Sequence, residues 1–166
     1  PLLAEVRHLY ADEYAQARAL LGAINARSEI RLPDAEAVGL ALHLVNAGFA
    51  TGDLSYTYTM TGVIQQMVTV IEHLYDQQLD SGSVSVGRFV THLRYLFVRI
   101  HQHRQLHEEH SAIGMAIRQA YPEAANCARR LAELLELRLG AALTEDEVSY
   151  LALHIARVTT DTDDVA

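Results

Sequence analysis

The chain's 166 residues carry 13 Lys and Arg against 21 Asp and Glu, a formal charge of −8 with histidine neutral, and half of them are apolar. That content suffices for one or two small helical cores, but no apolar run approaches the roughly 18 residues of a membrane span. The few cations are spread along the chain, which argues against a nucleic-acid face, and the single Cys127 excludes an internal disulfide and suits a cytoplasmic protein.

The sequence opens on Pro1-Leu2, already inside a helical pattern and without an initiator Met, so it reads as a piece of something longer. Ala50-Thr-Gly-Asp-Leu-Ser55 has the Gly, Asp and Ser of a linker. Residues 59–77 place Val63, Met67, Val70, Ile71 and Leu74 in helical rhythm. From Ser85, a plausible N-cap, to His101, the apolar residues Val86, Phe89, Val90, Leu93, Leu96, Phe97 and Ile100 recur at spacings of three and four. Two more helices are expected over 111–120 and 122–140, the second with Pro122 in its first turn. Thr144-Glu-Asp-Glu147 is a capping-box signature that starts a last helix, with Val148, Leu151, Ile155 and Val158 as its apolar stripe. No alternating strand of useful length occurs, so the fold is predicted to be all-α.

The chain also repeats itself. Leu32-Pro-Asp-Ala-Glu-Ala-Val-Gly-Leu-Ala-Leu-His43 returns 111 residues later as Leu143-Thr-Glu-Asp-Glu-Val-Ser-Tyr-Leu-Ala-Leu-His154. The same offset pairs Tyr10 with Tyr121, Arg18 with Arg129, Leu20 with Leu131 and Glu36 with Glu147. Over 10–45 against 121–156, 11 of 36 positions are identical without a gap. A repeat on this scale implies tandem modules. The expected layout is the C-terminal half of a first helical-bundle module over 1–50, a linker at 51–56, a complete second module over 57–161 and a tail at 162–166. The complete module should hold about five helices.

Three histidines stand out. His154 lies at the edge of its apolar stripe, beside Leu151 and Val158, and His43 has the equivalent setting among Leu40, Leu44 and Ala47. Either ring alone could simply fill space. A shared core, however, does not demand a shared histidine, because Leu, Met or Tyr would pack there as well. His92 shares a helical face with Arg88, Tyr95 and Arg99. Two guanidiniums nearby hold a histidine neutral and nucleophilic, and would bind the anionic oxygens of a phosphorylated ring. The plainer reading of that face is a solvated basic surface.

His101, His103, His107 and His110, with Glu108 and Glu109 close by, raise a metal reading, since i, i+4 histidine pairs bind zinc. No Cys joins them and the segment is strongly polar, so no metal and no cofactor is expected. No Gly-rich phosphate loop, Ser-His-Asp set or recognisable carboxylate pair is present. A regulatory rather than catalytic protein is expected.

Arg88-Phe-Val-Thr-His-Leu-Arg94 and Tyr150-Leu-Ala-Leu-His-Ile155, about 60 residues apart, resemble the two histidine motifs of a phosphotransferase-system regulation domain (PRD). Leu32-Pro-Asp-Ala-Glu36 with Ala41-Leu-His-Leu-Val-Asn-Ala47 resembles the second motif of a preceding copy. The resemblance covers the chain to about Asp161 and is to transcriptional antiterminators of the BglG and LicT kind, in which a small RNA-binding domain precedes two tandem regulation domains.

The resemblance implies a sensor of sugar transport in the cytoplasm. Regulation domains of this family accept phosphate on histidine from the carrier HPr or from a sugar permease component such as EIIB. Phosphorylation of the second domain generally favours the active dimer, and phosphorylation of the first generally silences the protein. By motif, the acceptors here are His43, His92 and His154, with Arg88, Arg99 and Arg157 as candidates for holding the phosphate. Gly39 and Asn46 of the first copy are Tyr150 and Arg157 in the second. A homodimer is expected, with RNA binding only through a domain outside this sequence. The rival readings are the regulation domain of a DNA-binding activator and a helical metal-binding or structural module. On the first reading, His92 and His154 should meet at one accessible site despite lying on different helices.

Overall fold

The computed structural model describes residues 2–49, 54–106 and 112–160. Among them it contains eight α-helices and no strand: α1 (Leu2–Leu9), α2 (Ala11–Asn25), α3 (Glu36–Phe49), α4 (Leu54–Tyr75), α5 (Val84–His101), α6 (Ala112–Ala120), α7 (Pro122–Leu139) and α8 (Glu145–Thr160). This is the all-α architecture expected, with five helices, α4 to α8, over the second module. Of the expected linker, residues 51–53 lie outside the described residues, while 54–56 form the first turn of α4. The tail at 162–166 also lies outside them.

Two compact units emerge, residues 1–65 and 66–166, divided within α4. The first turns of α4 belong with the first unit because two hydroxyls tie them there. Thr57 donates to Asn46 Oδ1 at 3.1 Å, and Tyr10 Oη lies 3.1 Å from Thr61 Oγ1. The Thr61 hydroxyl already donates to the Thr57 carbonyl at 2.8 Å, so the Tyr10 phenol is the donor to it.

Within the first unit, α1 passes into α2 without a loop. Tyr10 leaves helical geometry (φ −133°, ψ 51°), yet its N–H still donates to the Val6 carbonyl and its own carbonyl accepts from Tyr14 N. After α2, the Asn25 side chain closes the turn to α3, accepting from Leu32 N at 2.8 Å and donating to Leu32 O at 3.0 Å. Val6, Ala17, Leu21, Leu42 and Val45 are buried in this unit.

In the second unit, α6, α7 and α8 repeat that arrangement. Tyr121 has nearly the same backbone as Tyr10 (φ −130°, ψ 66°), and the same bonds link Tyr121 N to Ile117 O and Ala125 N to Tyr121 O. Pro122 takes the first helical position of α7, and Gly140, at φ 68°, ends the helix in the left-handed conformation that glycine adopts without strain. Cys127 is buried on α7, and burial pushes its thiol up to about 11.

All seven apolar residues of the predicted α5 stripe are buried, as are Val148, Leu151, Ile155 and Val158 on α8. On α4, Val63, Met67 and Ile71 are buried as expected, but Val70 is half-buried and Leu74 exposed, with Met60, Ile64 and Val68 filling the core instead. The cap of α5 is Ser83, not Ser85. Ser83 has the extended backbone a cap requires (φ −74°, ψ 146°), and its hydroxyl accepts from Val86 N at 3.2 Å.

Ser83→Ala should lower the stability of the second unit by about 1 kcal/mol. The expected signature is a reduced urea midpoint with an unchanged slope. An unchanged midpoint would place the cap elsewhere.

Candidate functional site

Helices α5 and α8 run antiparallel, which follows from two contacts between them. The rings of His92 and His154 stack with centroids 3.9 Å apart and planes 28° from parallel. Seven residues further along α5 and seven back along α8, Arg99 Nε meets Glu147 Oε1 at 3.4 Å. Equal steps in opposite directions define the register, with the two contacts about 10.5 Å apart along the helices. The expectation that His92 and His154 would meet from separate helices is met.

A cavity of about 240 Å³ opens along this seam. Phe89, Leu93, Leu96, Leu106 and Leu151 form its apolar wall, and His92, Arg99, Glu147, Tyr150 and His154 supply its polar groups. Leu106 reaches the cavity because α5 ends in a Schellman turn. Arg104 N donates to the Arg99 carbonyl at 2.8 Å and His103 N to the Ile100 carbonyl at 3.1 Å, with His103 left-handed at φ 53°. The turn delivers Gln105 and Leu106 to Glu147. Gln105 Nε2 donates to Glu147 Oε2 at 3.0 Å and Leu106 N to Oε1 at 3.4 Å. The Thr144 hydroxyl caps α8 by accepting from Glu147 N at 3.3 Å, as the capping-box pattern requires, but the Glu147 carboxylate reaches across to α5.

Both imidazoles are held toward the neutral form. His154, half-buried, is pushed down to about 4, first by burial and then by the charges of His92 and Arg157. His92 lies below the usual histidine range through burial of its stacked face, with Arg157 and Arg99 adding to the effect, although the residue as a whole is exposed. Near neutral pH the site therefore presents two uncharged rings, each with an unprotonated nitrogen able to act as a nucleophile.

The sequence candidates separate as follows. His92, His154 and Arg99 line the cavity. Arg157 is exposed on α8, three residues beyond His154, and acts on both rings through its charge. Arg88 is exposed one turn before His92 and does not line the cavity. His43 is exposed on α3 in the first unit, between half-buried Leu40 and Leu44. His101 and His103 are exposed at the end of α5, and His107 and His110 lie outside the described residues. Among the described residues no three metal-ligating side chains converge.

Sequence reasoning missed Glu147, Gln105 and Leu106 as parts of the site. Glu147 left a usable signal: both copies of the repeat keep a glutamate seven residues before the histidine, at Glu36 and Glu147. A capping role accounted for it locally and concealed the second one.

The model of the PRD domain family matches residues 1–47 and 65–158. The transcription antiterminator LicT of Bacillus subtilis is 28% identical over 157 residues, which cover 95% of this chain and 56% of that protein. A beta-glucoside operon antiterminator of Dickeya chrysanthemi is 30% identical over 154 residues, covering 93% of this chain and 54% of the relative. The PtsGHI operon antiterminator of Bacillus subtilis is 29% identical over 159 residues, covering 96% and 56%. The chain thus spans about half the length of these relatives. No helix among the described residues is long and apolar enough to cross a membrane.

The depressed His154 makes stability pH-dependent in a defined direction. Between about 6.5, the unfolded value, and about 4 the unfolded chain binds the proton that the folded chain refuses, so stability rises with pH across that window and falls on acidification. Urea midpoints at pH 7, 6 and 5 should fall more steeply for wild type than for His154→Gln, whose amide does not titrate. Parallel curves would mean that His154 protonates freely in the folded state.

Proposed function

The chain belongs to the PRD domain family, and on that premise we propose that it is the phosphorylation-responsive part of a transcriptional antiterminator for sugar-utilisation genes. In this reading it is a cytoplasmic regulator, not an enzyme, with His43, His92 and His154 accepting phosphate from HPr or a permease EIIB component. The names of the relatives, all antiterminators where a role is printed, favour this output over a DNA-binding activator.

The observation that carries the reading is the histidine stack. Two neutral imidazoles from different helices meet beside a cavity whose cation is Arg99, with Arg157 in electrostatic reach of both. In the transfer, a ring nitrogen lone pair attacks the donor's phosphorus as the bond from phosphorus to the donor side chain breaks. The proton on the ring's other nitrogen passes to the departing donor side chain or to solvent. Such a step requires a neutral acceptor, which burial and the neighbouring cations supply. The product ring carries about −1.5 to −2 charges, and Arg99 and Arg157 are placed to oppose them.

A sensor without chemistry of its own must report its charge through an equilibrium between two contacts, and an isologous dimer is the commonest such contact. The homodimer belongs to this proposal, with phosphate on the second module drawing it closed through arginine.

Incubation with phosphorylated HPr or EIIB should label the chain in an acid-labile, base-stable form. Replacing His43, His92 and His154 together by Ala should abolish the label; its persistence would overturn the acceptor assignment. Substituting His92→Asp and His154→Asp together should shift the monomer–dimer balance toward dimer in sedimentation. One unchanged species across wild type, the Asp pair and the Ala variants would overturn the dimer mechanism.

A further inference from the structure

Glu147 is an enclosed carboxylate, its side chain 0% exposed, in the cavity that holds the histidine pair. A buried charge persists only where partners compensate it. Among the described residues its partners are three donors: Arg99 Nε on α5, and Gln105 Nε2 and Leu106 N in the segment that follows α5. Gln105 Nε2 also donates to the Ala142 carbonyl at 2.8 Å, just before α8 begins. At the start of α8 the Thr144 hydroxyl takes the Glu147 N–H, while the Glu147 carboxylate turns to α5 and the segment after it. Of the described residues that line the cavity only Arg99 is a permanent cation, and it is bonded to Glu147 while remaining within electrostatic reach of His92.

We infer that Glu147 is a positioning residue for the histidine pair: it holds Arg99 and ties residues 105–106 to α8, and a phosphoryl group on His92 or His154 competes for Arg99 and loosens that tie. The inference rests on the reading of those histidines as phosphate acceptors. A phosphoryl group offers Arg99 more charge than one carboxylate and three oxygens that match the guanidinium fork. Once Arg99 turns to it, Glu147 loses its one cationic partner among the described residues and keeps the neutral donors Gln105 and Leu106 N–H, a poorer match for an enclosed anion. The way out is for water to enter beside Leu106, which lines the cavity. The segment 105–106 lies between two fixed elements. The Schellman turn anchors it at the end of α5, and beyond it α6 is pinned to α8 by Arg118 bonding to buried Ser149. Negative charge at the rings thereby becomes a local opening about two helical turns away.

The test compares Glu147→Gln, which keeps the shape and removes the charge, with wild type and with Gln105→Ala, which weakens the tie and leaves the charge. In the unphosphorylated chain, NMR titration should place the His92 midpoint lower in Glu147→Gln, since an anion has left the cavity, and unchanged in Gln105→Ala. Exchange of the Leu106 amide should quicken about tenfold or more in both variants, the effect expected for losing a hydrogen bond to a charged group. Phosphorylation of wild type by HPr or by phosphoramidate should quicken Leu106 by a similar factor and change Glu147→Gln no further. An unmoved His92 midpoint with unchanged Leu106 exchange in Glu147→Gln would overturn the positioning role. A phosphorylated wild type with Leu106 as protected as before would overturn the coupling. If neither donor labels any histidine, the functional reading and the coupling fail together, while the unphosphorylated measurements still decide for or against the positioning role of Glu147.

Discussion

A slide of one turn, about 5.4 Å, between α5 and α8 would part His92 from His154 and Arg99 from Glu147 at the same time. These two polar pairs mark the register. It is held by apolar side chains on each helix, Phe89, Leu93 and Phe97 on α5 and Leu151, Ile155 and Val158 on α8, all buried. Close-packed interiors move between discrete arrangements rather than deform smoothly. A seam built this way is therefore suited to two states and poorly suited to a continuum. The polar groups ride on the apolar register and report it.

The repeat separates what a module needs to fold from what it needs to sense. Tyr10 and Tyr121 adopt almost the same dihedrals and make the same backbone bonds, so the helix-to-helix passage is a shared device. Their rings differ, however: Tyr10 is 1% exposed and Tyr121 is 42% exposed. Likewise Glu36 and His43 are exposed on α3, whereas Glu147 is buried and His154 half-buried on α8. Identity at aligned positions transmits backbone geometry. It does not transmit environment, which comes from whatever packs on that face.

Features legible in the sequence are those decided within a turn or two of chain. The α5 stripe, Pro122 at the head of α7 and the Thr144 cap all follow from local spacing and hold in the structure. The family and the meeting of His92 with His154 were legible too, through motifs rather than periodicity. Ser83 against Ser85 was not, because Ser83-Val-Ser85 offers two hydroxyls and only the backbone angles select one. The face of α4 was misjudged at Leu74, which is in helical step with buried Met60, Val63, Ile64, Met67, Val68 and Ile71 and yet is exposed in the last turn. Glu147 was the largest omission. Its partner Arg99 lies 48 residues away, and no local pattern announces a contact across that distance.

Buried Cys127 gives the second unit a chemical clock. Its thiol, pushed up to about 11, is almost wholly protonated at neutral pH, and protonated thiols are slow toward alkylating reagents and oxidants. It sits on α7, which packs against the histidine-bearing helix α8. A maleimide in solvent therefore gains this sulfur only when the packing around Cys127 opens, and the reaction rate counts such openings. Nothing needs to be engineered into the chain for that count.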